Sequence, residues 1–252
     1  MNAIPERLRD DWDDVLRPTR EAQPFDPAMA APLPATVRRW LDHAIAPGTP
    51  LRRRVGMRQH GEIKLGDRWW PFTALQALDP LQGFVWPVTA RMFGLPVKGF
   101  DRFSRGSGEM RHRLLGLVTV AHGSGPDFDR SAAARAATEI CWMPAAALDP
   151  VIRWREVSDS QVIAVVPLAG YDHEVTLTIT GTGAVQSVTV PRWTSLDGGP
   201  YRLHTFGARV LQEATFDGFT VPAKLTAGYG DGDSYWRHGA FIRLTVESAA
   251  YR

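Results

Sequence analysis

Five runs decide the fold: M-R-Q-H-G-E-I-K-L (Met57–Leu65), W-W-P-F-T-A-L-Q-A-L (Trp69–Leu78), G-F-V-W-P-V-T-A-R-M-F (Gly83–Phe93), V-K-G-F-D-R-F-S-R-G (Val97–Gly106) and E-M-R-H-R-L-L-G-L-V-T-V (Glu109–Val120). Their period is two, and Gly, Pro or Asp turns separate them, so they read as successive strands. Connections this short imply antiparallel pairing. The same pattern returns in Val151–Val157, Gln161–Leu168, His173–Thr180, Ala184–Trp193, Tyr201–Phe216, Phe219–Tyr229 and His238–Ala249. Gly181-Thr182 and Asp217-Gly218 are two-residue hairpin signals between such runs. About a dozen strands cannot lie in one flat sheet. The expected fold is therefore mainly β (α+β): a large curved antiparallel sheet forming a half-barrel, with helices covering the concave face.

Three stretches depart from this period. Leu8, Trp12, Val15 and Leu16 share one face of a short amphipathic helix that starts after Pro5. A Pro- and Ala-rich connector follows. In T-V-R-R-W-L-D-H-A-I, Val37, Trp40, Leu41 and Ile45 fit a second helix, ended by Pro47-Gly48. The segment R-A-A-T-E-I-C-W-M-P-A-A-A-L (Arg135–Leu148) is helical within an interruption running from Asp127 to Ala147. The expected organisation is a helix and connector over residues 1–33, then a single half-barrel domain over 34–252; whether the first part packs on the second is left open.

Composition removes several classes of function. With 44% hydrophobic and 22% charged residues over 252 positions, the chain can bury a sizeable core. The net charge is +2 and the arginines are interleaved with apolar residues, so a nucleic-acid-binding face is not expected. The lone cysteine, Cys141, excludes an internal disulfide and reads as a small buried hydrophobe. Acids near the amino terminus stand where a signal peptide would need an apolar run. No stretch approaches the roughly 18 apolar residues of a membrane helix, so a cytoplasmic location without an integral membrane segment is expected. Phosphate-binding and dinucleotide-binding loops, a nucleophile elbow and metal-ligand spacings are absent, so neither cofactor nor metal is expected.

Local pattern nominates a site. Glu139 stands one turn before Trp142 and just ahead of Pro144, where burial beside apolar surface would raise its pKa unless an arginine compensates and suit it to acid–base work, with a cap or a structural pair with an arginine as the plainer alternative. Strand alternation puts His112 with Met110 and Leu114, away from Glu109, Arg111 and Arg113. The same parity puts His173 with Val175 and Leu177, and Arg192 with Val188 and Val190. His112 and His173 are candidate acids or bases, and equally ordinary core histidines. Arg192 would pair with a ligand carboxylate or with Glu139. Asp101 is a fourth catalytic candidate, with a turn or ion-pair role as the plainer alternative. Among nine tryptophans, Trp69, Trp86, Trp142, Trp154 and Trp236 are candidate cavity walls, with Met110 beside them.

The set W-x-P-F-x-A-x-Q (Trp69–Gln76), F-x-W (Phe84–Trp86), Asp101 with G-x-G-x-M (Gly106–Met110), Glu139-x-x-Trp142-x-Pro144, Trp154, Arg192 and G-x-x-V-P (Gly218–Pro222) resembles a bacterial family of unknown function. The resemblance covers most of the chain after residue 33. That family is similar in strand order to the half-barrel of the periplasmic lipoprotein carriers, the LolA-like fold, which hold acyl chains on a concave apolar surface. A cofactor-independent enzyme of violacein biosynthesis is similar in fold, so a half-barrel of this kind can host chemistry. The resemblance implies a fold and an apolar pocket; fold alone does not settle function. The leading expectation is binding of an apolar or aromatic small molecule in the cavity. The alternatives are a cofactor-independent lyase, isomerase or cyclase using Glu139 with a pocket histidine, and a protein-interaction module.

Overall fold

The computed structural model describes residues 4–18, 22–196, 198–230 and 239–252. Thirteen strands form one antiparallel sheet: β1 Val55–Leu65, β2 Arg68–Asp79, β3 Gly83–Met92, β4 Leu95–Ser104, β5 Ser107–Leu114, β6 Val118–Ser124, β7 Arg153–Ser158, β8 Gln161–Leu168, β9 Tyr171–Ile179, β10 Val185–Thr194, β11 Arg202–Phe216, β12 Phe219–Tyr229 and β13 Ala240–Tyr251. Their spatial order is β6-β5-β4-β3-β2-β1-β13-β12-β11-β10-β9-β8-β7, so β1 and β13 meet at the centre and β6 and β7 are the free edges. The β7 edge carries Arg153 and Arg155, paired to Asp172 and Glu174 on β9. Charges there discourage pairing with another chain.

Among the described residues three α-helices accompany the sheet: α1 Arg9–Val15, α2 Ala35–Ala44 and α3 Pro126–Thr138. Helix α3 touches both β5 and β10. Those strands are eight positions apart in the sheet, about 38 Å if it were flat. One helix reaches both because the sheet curls around it. Small residues allow the close approach. Ala132, Ala133, Ala136 and Ala137 are buried, and a Cβ on Gly108 would stand 2.8 Å from the Ala132 Cβ.

Helix α2 also joins the main core. Val37, Trp40, Leu41 and Ala44 recur at helical spacing and are buried. Trp40 meets Trp154 edge-on at 6.2 Å. Helix α1 lies on the opposite, convex face, where Leu8, Val15 and Leu16 pack on Ala77, Val85 and Phe100. Phe25 and Ala30 of the connector belong to the main core, and Phe25 exchanges backbone hydrogen bonds with the Gly48–Thr49 turn. The first 33 residues thus pack on the body wherever they are described.

Two local expectations change. The run Glu109–Val120 is a hairpin instead of one strand: Leu115 and Gly116 both take positive φ, 54° and 75°, and reverse the chain between β5 and β6. Asp217-Gly218 is the expected tight turn, with φ of 49° and 87° between the paired Phe216 and Phe219. Gly181-Thr182, however, lies in a longer loop from Thr180 to Ala184, in which Gly183 is pressed against the Arg39 carbonyl.

Because Trp40 is 1% exposed between α2 and the sheet, Trp40→Ala is expected to cost about 3–5 kcal/mol, read as a lower denaturant midpoint in equilibrium unfolding.

Candidate functional site

A cavity of about 850 Å³ lies between the concave face and α3. Its walls alternate out of the strands: Trp86, Val88, Ala90 and Met92 from β3, Met110 and Leu114 from β5, and Leu225, Phe206 and Leu244 from the central strands. Most of the lining is aliphatic or aromatic. Many of the polar lining side chains gather around α3 and its exit, namely Gln76, Asp101, His112, Ser131, Arg135, Thr138, Glu139 and Arg192, and Lys64, His122, Thr194, Ser195 and Tyr201 also line the cavity.

The groups around α3 form a directed chain of hydrogen bonds. The Trp86 indole N–H donates to Gln59 Oε1 at 2.9 Å, and Gln59 Nε2 donates to Gln76 Oε1 at 2.8 Å. Gln76 Nε2 donates to Glu139 Oε2. The ends set the direction, because an indole only donates and an ionised carboxylate only accepts; both amides between them must point one way. The Arg135 Nε donates to Glu139 Oε1 and its terminal nitrogen to Asp101 Oδ2, each at 2.9 Å. His112 Nε2 lies 2.9 Å from Asp101 Oδ1, so its N–H donates to the carboxylate. The circuit nearly closes on itself: the Arg135 guanidinium lies over Phe84 at 4.2 Å and Trp86 at 5.0 Å.

The two carboxyls are driven apart. Burial pushes Glu139 above the usual carboxylate range, and Arg135 with the Gln76 hydrogen bond only partly opposes it. Burial also raises Asp101, but the His112 hydrogen bond and the charges of Arg135, His112 and Arg192 outweigh it and hold the group low. Glu139 follows the last turn of α3, where the helix dipole favours cations. A carboxylate at that end is held by Arg135 one turn earlier, an i, i+4 pair. Burial pushes the Cys141 thiol up, with the Glu139 charge adding to the shift, so it is a poor nucleophile.

Of the sequence-nominated residues, Glu139, His112, Asp101, Trp86, Met110, Trp142 and Arg192 line this cavity. Three do not. His173 is buried on β9, where its Nε2–H donates to the Leu168 carbonyl at 3.2 Å; burial lowers its pKa and keeps it neutral. Trp154 donates to the Ala147 carbonyl and packs on Trp40, filling core. Trp69 is on the convex face under Arg243, 4.2 Å from the ring centroid. Its neighbour Trp70 is the one paired across from cavity-lining Ile63. Trp236 lies outside the described residues. Arg192 does not pair with Glu139; its Nε donates to the Ser131 carbonyl and hydroxyl, 3.1 Å each. Sequence reasoning missed Arg135, Gln59 and Gln76. The i, i+4 spacing of Arg135 and Glu139 was a usable signal, as were two glutamines on the apolar parity of their strands.

Among the described residues no group of His, Cys, Asp or Glu is placed to hold a metal ion, and no helix is long and apolar enough to cross a membrane. A model of a family of unknown function, DUF6544, matches residues 23–241. The chain belongs to the DUF6544 family. No curated protein matches this DUF6544 chain. It is similar to a solved LolA superfamily protein from Nitrosomonas europaea, at 8% identity and a TM-score of 0.48 over 86% of this chain and 92% of that one. It is also similar to a DUF1329 family protein from Desulfovibrio piger, at 13% identity and a TM-score of 0.41 over 90% and 94%.

Removing Arg135 would leave two buried carboxylates without their cation. Arg135→Met is expected to cost about 3–5 kcal/mol near neutral pH. Without the cation Glu139, already raised by burial, rises further above its unfolded value, and Asp101 loses part of what holds it low. The extra loss is then greatest above the raised folded-state value of Glu139 and shrinks as the pH falls from there toward the ordinary carboxylate value of about 4. Urea unfolding of both proteins at several pH values checks this; a pH-independent difference would show that the guanidinium acts only through packing.

Proposed function

We propose that this protein binds an apolar or aromatic small molecule in the half-barrel cavity. The observation that carries this is the lining itself: a cavity of ligand size walled mostly by aliphatic and aromatic side chains, with the hydrogen-bonded groups Gln76, Asp101, Arg135 and Glu139 gathered beside α3. Arg192 adds a preference. It lines the cavity beside Phe206, 4.7 Å from the ring centroid, and has no ion pair among the described residues. An acidic or carbonyl group on the ligand would meet its guanidinium while the apolar remainder runs along the β3 and β5 walls.

A second reading, a cofactor-independent lyase, isomerase or cyclase, is favoured by one specific feature. Asp101 and Glu139 share Arg135 yet are shifted in opposite directions. A carboxyl kept high and a neighbouring carboxylate kept low is the arrangement from which acid and base roles are assigned. In this reading Glu139 gives or takes the proton, and Asp101 orients His112 as its counterpart.

Titration with an apolar fluorescent anion, anilinonaphthalene sulfonate, tests the ligand reading. Ala90→Trp places an indole in the cavity and is expected to weaken binding by about tenfold or more while the protein stays folded. Arg192→Leu is expected to weaken the anionic probe more than an uncharged aromatic one. Equal affinities in all three proteins would place the probe elsewhere and remove the cavity as the site.

For protein isolated from its host, native mass spectrometry followed by denaturation would identify a retained ligand. Glu139→Gln is expected to remain folded with altered affinity; loss of turnover of that molecule with affinity unchanged would favour the catalyst.

A further inference from the structure

The hairpins joining β1 to β2, β3 to β4 and β5 to β6 all turn at one end of the sheet, because these six strands are consecutive antiparallel neighbours. Their tips hold apolar side chains in water: Leu65 on the first, Phe93 and Leu95 on the second, Leu115, Leu117 and Val120 on the third. Phe93 is 72% exposed and Leu117 80%. Phe93 and Leu115 also have φ of 52° and 54°, a left-handed conformation that Asn, Asp and Gly adopt readily and bulky side chains adopt at a cost. At the opposite end the corresponding turns are Arg105-Gly106 and Asp217-Gly218. Bulky apolar residues are thus held exposed, in an unfavoured conformation, at two adjacent tips of one end.

The tips make one surface. Trp70 meets Phe93 edge-on at 4.6 Å, and Arg68 lies 5.8 Å over the same ring. The Leu115 N–H donates to the Pro96 carbonyl at 2.9 Å. The surface is continuous with the cavity, since Leu65, Phe93, Leu95 and Val120 line both. Segments 64–68, 91–96 and 113–118 contain Lys64, Arg68, Arg91 and Arg113 against one acid, Asp67.

We propose that this rim is a membrane-docking surface. The apolar tips enter the interfacial layer of a bilayer, and Lys64, Arg68 and Arg91 meet anionic headgroups. Neighbouring tips, two strands apart, are spaced by about 10 Å, a broad and shallow front suited to the interface. Apolar insertion and basic attraction together supply the two signals that stable peripheral binding needs. The mouth of the cavity then faces the acyl chains, and an apolar ligand passes between bilayer and cavity without crossing water. That last consequence rests on the ligand reading; the docking does not.

Flotation of the purified chain with vesicles of phosphatidylcholine, alone or mixed with phosphatidylglycerol, tests the proposal. Binding is expected to the mixed vesicles, to weaken on the neutral ones, and to fall as salt is added. The double substitution Phe93→Asn with Leu115→Asn removes the apolar tips while installing a residue the turns favour. It should melt no lower than the parent and lose vesicle binding by about tenfold or more. Arg105→Asn at the opposite end should leave binding unchanged. A parent chain that stays in the lipid-free fraction, or a double variant that floats equally well, overturns the proposal. So does a parent that is dimeric by sedimentation, becomes monomeric in the double variant and ignores vesicles, since the rim would then be a self-association surface.

Discussion

One guanidinium holds two carboxylates inside an apolar half-barrel, and the arrangement of the concave side depends on it. Arg135 reaches Glu139 one turn along its own helix and Asp101 across on β4, so it ties α3 to the first half of the sheet. Its flat face rests on Phe84 and Trp86. A lysine could supply the charge but not the two-sided fork and the stacking plane. Trp86 returns the connection through its indole N–H and the two glutamines, which makes the polar groups of the concave face one network.

That network explains why a mostly apolar cavity carries polar groups beside α3. A sheet curled this far must be filled, and α2, α3 and the 3-10 turns Glu139–Trp142 and Pro144–Leu148 occupy only part of the concavity. The alanines of α3 seat it close to β5 and bring Arg135 and Ser131 to the cavity wall. At the other end the apolar lining runs out to the hairpin tips, through Leu65, Phe93, Leu95 and Val120.

Much of this was legible in the chain. Period-two alternation marked the strands, and parity put His112, Met110 and Arg192 on the apolar side, where they line the cavity. It failed where one position decides a face: Trp69 was preferred to Trp70, yet the register of β2 on β1 turns Trp69 outward. It failed again at Leu115-Gly116, because a bulky leucine at positive φ is not a residue from which a turn is read. Facing inward was also insufficient for His173, which shares the concave parity but lies beyond the reach of the cavity, bonded to Leu168.

By itself the sequence determined the class of fold, its antiparallel pairing, the two core-facing sets of most strands and the placing of Glu139 beside apolar surface. These follow from local rules, in which side-chain period and turn chemistry act over a few residues. Only the tertiary structure decided that Asp101, Arg135, Glu139 and Gln76 meet, that their carboxyls are shifted in opposite directions, and that three distant hairpins form one apolar rim. Such juxtapositions join positions tens of residues apart through sheet order and curvature. Both come from how the whole concave surface is filled, and no window of sequence contains that.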